Sequence, residues 1–469
     1  MYLHNVVSAA AAISLPLAGR QSNSTVTLTV DLNQKFQTID GFGFSEAFQR
    51  AYNIYNLPEP KRSQLVDLLF NTTSGAGFSI VRNGIGSSPN SSLDWMNTHL
   101  PRSPGSPDAK PEYVWDGKDS GQLWVSQQAV KYGVKTFYGN AWSAPGFMKT
   151  NNRDSNGGHL CGVPGTNCTT GDWRQAYADY LVKYIQFYGE SGVNVTHIGF
   201  LNEPDFSTSY ASMLSNGRQS ASFIRVLHPT LEKANLGHVH ITCCDATGWK
   251  AQINMTKDLV AEGVEPLIGV ITSHPYSSAI DSPQPTKNKV WETEFSDLSG
   301  RWATDWYTTG RSGDGYTWAN HIHTALTTGN VSAYLWWVAT QDPVTNNNNN
   351  EKLILVDDTS YQVAKRFWAF AHYSRLIRPG ATRIGVTSSD PRLRVTAFVN
   401  SGADGSVVVN IINTSATPTG VSISGIKAIG NKQKVWATDE GRDMAPVEAD
   451  AVVVPARGLV SVLVIRDGA

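Results

Sequence analysis

At 469 residues, the chain exceeds one typical domain but accommodates a barrel of roughly 250 residues with a smaller companion. It is 41% hydrophobic and 16% charged, with a net charge of −1, so composition offers no basic run for nucleic acid and no imbalance that would suit a polyanion. Its 14 Trp, 17 Tyr and 16 Phe supply aromatic faces of the kind that stack on sugar rings, although most tryptophans in any protein are core.

The stretch Val6 to Gly19 is apolar and ends in small residues, which predicts a signal peptide over residues 1–19, although Met1 to Asn5 holds no Lys or Arg. Eight Asn-x-Ser/Thr sequons, at Asn23, Asn71, Asn90, Asn167, Asn194, Asn254, Asn330 and Asn413, agree with a secreted, extracellular glycoprotein. No other stretch is long and apolar enough to cross a membrane, so none is expected as a partner. Cys161 and Cys168 bracket a Gly/Pro-rich loop that a local disulfide could close. Cys243 and Cys244 are adjacent, and read either as buried thiols or as a vicinal bridge; even with His238 and His240 nearby, they do not match the spaced pairs of a zinc site, and no metal or other cofactor is expected.

In chain order, Thr25 to Val30 alternates polar and apolar residues, predicting a half-buried strand. Eight short apolar runs follow: Gln37–Glu46, Phe78–Gly84, Val134–Trp142, Thr196–Asn202, Val239–Asp245, Gly269–Tyr276, Val290–Glu294 and Ser332–Val338. Between them lie segments with helical spacing, such as Trp173–Tyr188 and Ser220–Ala234. Eight strands alternating with helices predict a (β/α)8 TIM barrel over 37–378, each run followed by a helix; a doubly wound sheet is the alternative, but no Gly-x-Gly-x-x-Gly follows an early strand. Asn346–Asn350 reads as a flexible loop over the active face. Beyond residue 380 the runs Arg392–Asn400, Ser406–Thr414, Gly420–Ser424, Lys434–Thr438, Ala451–Val454 and Leu459–Arg466 are β-rich and separated by turn residues. They predict a side antiparallel β-sandwich over 379–469 that takes in residues 20–36 as well.

In such a barrel the last residues of each strand face the reaction centre. The strand ends offer Arg82 and Asn83, Asn140 and Trp142, Asn202 and Glu203, His274 and Tyr276, Glu294, and Trp336 or Trp337, of which Trp336 is the candidate. Glu203, closing Ile198-Gly-Phe-Leu-Asn-Glu203, is a candidate general acid/base, and Asn202 a donor to a sugar 2-hydroxyl. Glu294, in Trp291-Glu-Thr-Glu294, is the candidate nucleophile. Glu292 is its rival and, by strand alternation, should share its face, but Glu294 lies nearer the carboxyl end. A single acidic residue is most often a salt-bridge partner; two at the ends of the fourth and seventh runs form the pair that glycoside hydrolysis needs. Arg82 is read as a partner of the nucleophile or a substrate ligand, His274 and Tyr276 as orienting groups or core, and Trp142 and Trp336 as barrel filler or sugar platforms.

Five motifs in fixed order, Gly41–Arg50, Ile80–Gly86, Asn140–Lys149, Phe200–Asp205 and Trp291–Glu294, resemble glycoside hydrolase family 30, and most closely its fungal subfamily 7 of glucuronoxylanase and xylobiohydrolase-like enzymes. That resemblance runs from about residue 25 to the C-terminus and implies a retaining double displacement. It also implies that Arg50 and Asn97 contact the 4-O-methylglucuronic acid branch of the substrate, although Trp95 stands where the pattern leads one to expect His. The function expected from the sequence is therefore a secreted, monomeric retaining β-1,4-xylanase acting on glucuronoxylan, with endo or exo action and release of xylobiose. An endo-β-1,6-galactanase of the same family is the runner-up, and a non-catalytic carbohydrate-binding protein is the rival from another class.

Overall fold

The computed structural model describes residues 25–89, 96–402, 405–426 and 428–466. The expected signal peptide, the sequons at Asn23 and Asn90, and Trp95 lie outside the described residues. Numbering along the chain, eight strands form the barrel: β2 (Gly41–Ser45), β3 (Ile80–Ile85), β4 (Thr136–Ala141), β5 (His197–Gly199), β6 (His240–Ala246), β7 (Val270–Ser273), β8 (Lys289–Phe295) and β10 (Ala333–Gln341). Each pairs in parallel with the next, and β10 closes the ring by pairing with both β8 and β2. All eight predicted runs contribute a strand. They read as unbroken apolar runs because a parallel strand inside a shell of helices is buried on both faces. β2 can approach β3 closely only because position 43 is glycine; a Cβ there would lie 2.0 Å from the Ile80 carbonyl oxygen.

Helices α1 (Ala51–Tyr55), α2 (Lys61–Phe70), α3 (Gln122–Lys131), α4 (Arg174–Glu190), α5 (Gly217–Lys233), α6 (Trp249–Ala261), α7 (Gly315–Thr327) and α8 (Lys365–Ser374) cover the barrel. The alternation is incomplete at one place: residues 274–288, between β7 and β8, contain no helix. The expected flexible loop at the five-Asn tract is also corrected. Asn349–Asn350 form strand β11 and pair antiparallel with β9 (Asp297–Arg301), making a small two-stranded wall beside the barrel mouth. Its lead-in turn is tied by Asp342, which accepts bonds from the Val344 and Thr345 amides at 2.8 and 2.9 Å. Strand β12 (Lys352–Val356) continues from β10's outer edge and hairpins with β13 (Tyr361–Val363).

The remaining strands form one nine-stranded sheet: β1 (Val26–Thr38), β14 (Thr382–Ser388), β15 (Leu393–Val399), β16 (Val407–Asn413), β17 (Thr419–Ser424), β18 (Ala428–Asp439), β19 (Arg442–Val447), β20 (Val452–Val454) and β21 (Leu459–Arg466). All neighbours run antiparallel except β1 and β17. As expected, the N-terminal strand enters this sheet, wedged between β14 and β17. Strands β14 and β19 are additions to the predicted set. Alternation along β16 explains why both of its faces are buried: Val408 and Ile412 join the barrel core, whereas Val407, Val409 and Ile411 join the sheet's own. Buried His372 of α8 bonds Ser461 Oγ at 2.6 Å and Thr438 Oγ1 at 2.8 Å across that junction, and burial pushes its pKa down to about 3, so it serves as a neutral hydrogen-bonding key. Cys161 is bonded to Cys168 as expected, and of the two readings left open for Cys243 and Cys244 the structure has the vicinal bridge.

Candidate active site

In β8, Val290 packs outward into the helix layer and Trp291 inward. Strict alternation would therefore turn Glu292 and Glu294 outward together. The pairing with β10 breaks first, since Tyr334 faces Glu292 whereas Trp336 faces Phe295, and β8 carries one residue more than its partner over that interval. The resulting β-bulge rotates the strand. Thr293 and Glu294 both turn into the barrel, and Phe295 returns outward against Trp318. Glu292 remains outside, where its Oε1 accepts from the Glu294 amide at 3.1 Å and its Oε2 from the Leu335 amide at 3.2 Å. The expectation that Glu292 shares the face of Glu294 is thus corrected. Burial pushes the Glu292 carboxyl well above its usual range.

Glu294 Oε2 accepts from Arg82 Nη1 at 2.5 Å and Oε1 from the Tyr276 hydroxyl at 3.2 Å. Burial raises the Glu294 pKa, against the opposing charges of His274 and Arg82. Opposite lies Glu203. The ladder of β5 ends at Gly199, and Glu203 arrives four residues later at φ +49°, a left-handed conformation uncommon for any residue but glycine and costly unless its surroundings fix it. Its amide donates to the Asp245 carbonyl at 2.8 Å. Its Oε1 lies 3.2 Å from His274 Nδ1. Glu203, His274 and Glu294 each place one atom within 4.8 Å of the others.

Beneath both carboxylates sits a residue absent from the predicted site. Asp245, at the end of the fifth run, accepts from Tyr138 Oη at 2.5 Å and Thr272 Oγ1 at 3.0 Å, and also from Thr293. It lies 3.3 Å from His274 Nε2 and 3.9 Å from Arg82 Nη2. Burial alone would raise its pKa, but hydrogen bonding from His274 and the Arg82 charge bring it down to about 2. Burial likewise opposes charge on His274, yet Glu294, Asp245 and Glu203 around it push its pKa up to about 10. The centre is therefore a lattice of three carboxylates and two cations. Glu203, His274 and Glu294 are near enough to ligate a metal ion, but a ligand histidine must be neutral, and here positive charge is already supplied by His274 and Arg82.

A cleft of about 920 Å³ opens over this centre. Of the predicted site residues, Arg50, Trp142, Asn202, Glu203, Tyr276 and Glu294 line it. Arg82 lies below, donating to Asn202 Oδ1 at 2.6 Å and covering one face of the Trp142 ring at 4.5 Å. Lys149 ties the Trp142 segment down, donating to Ser143 Oγ at 2.8 Å and the Ser212 carbonyl at 2.6 Å. Arg50 donates to the Phe48 carbonyl at 2.7 Å and lies 4.0 Å from Glu351, another lining residue. Asn140 is buried below the cleft beside Gly199. Asn97 is half-buried, bridged to Ser88, and is not a lining residue. Trp336 requires correction. It points outward, packs on Trp318 and Phe370, and donates to the Glu351 carbonyl at 2.6 Å. Ala333 and Leu335 face the barrel interior and Tyr334 the helix layer, so plain alternation carries Trp337 into the cleft instead. Phe206, Tyr210, Leu298, Arg301 and Glu351 also line it without having been predicted. Asp245 had a signal, as a strand-terminal acid; the loop residues had none.

Comparison with known proteins agrees with this architecture. The model of O-glycosyl hydrolase family 30 matches residues 25–268, and that of the glycosyl hydrolase family 30 beta sandwich domain matches residues 380–462. The catalytic domain of GH30 xylanase C from Talaromyces cellulolyticus superposes with a TM-score of 0.86 at 41% identity, over 93% of this chain and 99% of that one. Endo-1,6-beta-D-glucanase neg1 of Aspergillus fumigatus is 31% identical over 228 residues, 46% of each chain. Glucuronoxylanase XynC of Bacillus subtilis is 24% identical over 345 residues, 69% of this chain and 71% of the relative.

Proposed function

The chain belongs to glycoside hydrolase family 30, and from that premise we propose that it is a retaining β-1,4-xylanase acting on glucuronoxylan, with endo or exo action and release of xylobiose. Glu294 is the nucleophile and Glu203 the general acid/base. The observation that carries the reading is their spacing. An oxygen of each lies within 4.8 Å of the other, the close approach that favours the ~5–5.5 Å carboxyl spacing of a double displacement. Arg82 stabilises the anionic form of Glu294, and Tyr276 holds its second oxygen. Asn202, fixed by Arg82 through its carbonyl oxygen, keeps its amide free to donate to a sugar 2-hydroxyl.

The likeness to a solved xylanase favours xylan, and the glucuronoxylanase relative favours a branched one. Arg50 at the cleft wall is the proposed ligand of the acidic branch. Secretion to the extracellular space, N-glycosylation and a monomeric state belong to the same proposal, supported by the apolar leader, the sequons and the disulfides. The test is the product profile on glucuronoxylan, linear xylan, β-1,6-glucan and β-1,6-galactan. Aldouronic acids with xylobiose are expected from the first. Products from a β-1,6-glycan alone would overturn the substrate and leave the carboxylate pair, while binding without cleavage of any of the four would overturn the enzymatic reading.

A further inference from the structure

Large apolar side chains seldom stay exposed in the wall of a cleft without a partner to cover them. Here three do: Phe206 is 48% exposed, Tyr210 37% and Leu298 50%, and all line the cleft. Phe206 and Tyr210 lie on the side of Glu203. The Phe206 amide donates to the Glu203 carbonyl at 2.9 Å, closing a turn that begins at the acid/base itself. The turn is pinned from outside, because Asp205 accepts from the Thr247 amide at 2.9 Å and the Thr247 hydroxyl at 2.6 Å, and the Ser215 amide donates to the Pro204 carbonyl at 3.0 Å. Tyr210 stands edge-on to Phe48, with ring centroids 5.6 Å apart. The aromatic face is therefore held in place before any substrate arrives, which lowers the ordering cost of binding there.

The chemistry says which sugar meets it. A general acid protonates the bridging oxygen, so the departing half of the chain lies on the acid's side of the broken bond and the attacked ring lies over the nucleophile. We propose that Phe206, flanked by Tyr210, forms the subsite for the leaving-group sugar, stacking on its apolar face. The proposal rests on Glu203 being the acid/base.

Two substrates separate this role from a general one. Xylan loses a sugar as its leaving group, whereas β-xylobiosyl fluoride presents the same donor but loses a single atom. Phe206→Ala lowers kcat/KM on linear xylan about tenfold or more, the scale of one lost aromatic stack, and leaves the fluoride within about twofold. Phe206→Trp restores the xylan rate. Turnover of the fluoride also reports that the variant is folded. Equal losses on both substrates, or an unchanged rate on xylan, would overturn the subsite. If wild type does not cleave xylan, the substrate assignment fails separately, and the same ratio is measured on the β-glycan it does cleave with the matching glycosyl fluoride.

Discussion

Glu292 and Glu294 are two residues apart, and substituting each with Gln should give opposite results. Glu294→Gln keeps the shape and one oxygen for Arg82 but removes the attacking carboxylate, so kcat is expected to fall about ten-thousandfold or more while Tm changes little. Glu292→Gln acts on the bulge. The two Glu292 oxygens each accept from a backbone amide, those of Glu294 and Leu335, and the amide nitrogen of Gln cannot accept from either. One buried N–H is then left without a partner, at about 1–3 kcal/mol of stability. The expected outcome is a Tm lower by a few degrees and a kcat within about tenfold of wild type, the residual loss reflecting a looser aim of Glu294. Calorimetry and initial rates on xylan read the two quantities in the same preparations. An inactive Glu292→Gln with unchanged Tm, or a Glu294→Gln that still turns over, would refute the assignment of one carboxylate to chemistry and the other to the backbone.

Arg50→Ala should weaken action on glucuronoxylan about ten- to hundredfold relative to linear xylan, the worth of one charge-assisted contact; equal losses on both would remove Arg50 from branch recognition. Burial, reinforced by nearby Asp116, pushes the Asp119 carboxyl up to about 7. An acid whose folded pKa exceeds its unfolded value contributes stability below about pH 4 that is lost as pH rises toward 7. Asp119→Asn is therefore expected to raise stability by about 2–4 kcal/mol at pH 8 but not at pH 4, and an equal change in Tm at both would contradict the burial argument. Among the sequons, Asn167, Asn194, Asn254 and Asn330 are exposed, whereas Asn413 is buried with its amide donating to the Thr417 and Pro455 carbonyls at 2.8 and 3.0 Å. Glycopeptide mass spectrometry should find Asn413 bare, and a glycan there would mean that β16 is not packed as described.

The barrel was legible because burial on both faces writes each parallel strand as an apolar run. The face of Glu292 stayed hidden for a specific reason. A bulge adds one residue to a strand and leaves no compositional mark, yet it reverses every later side chain. Counting by twos along β8 places Glu292 beside Glu294, whereas along β10 the same count from inward Ala333 and Leu335 leads to Trp337 rather than Trp336. Glu203 was legible as a residue but not in its delivery, by a left-handed turn after the strand ends. Asp245 carries the signal of a strand-terminal acid, but its part in the centre shows only where Arg82 and His274 converge on it. Phe206 and Tyr210 lie on a loop, where neither period applies. The five-Asn tract misled in the other direction, since its two-residue pairing with β9 depends on a partner some fifty residues away.

The position of β1 has a consequence for how the protein is made. Thr29 is laid down early, but its partner Thr387 emerges about 350 residues later, and at a synthesis rate of roughly 5–20 residues per second that interval is roughly 20–70 s. Throughout it, a long strand with Leu28 and Val30 bare waits without either neighbour while the barrel is built. Such an edge invites pairing with another chain until both of its neighbours have been made. A permuted gene that moved residues 25–38 behind residue 466, through a linker long enough to cross β16, β15 and β14, would close the sheet as one continuous block and should give a higher yield of soluble protein from the same fold.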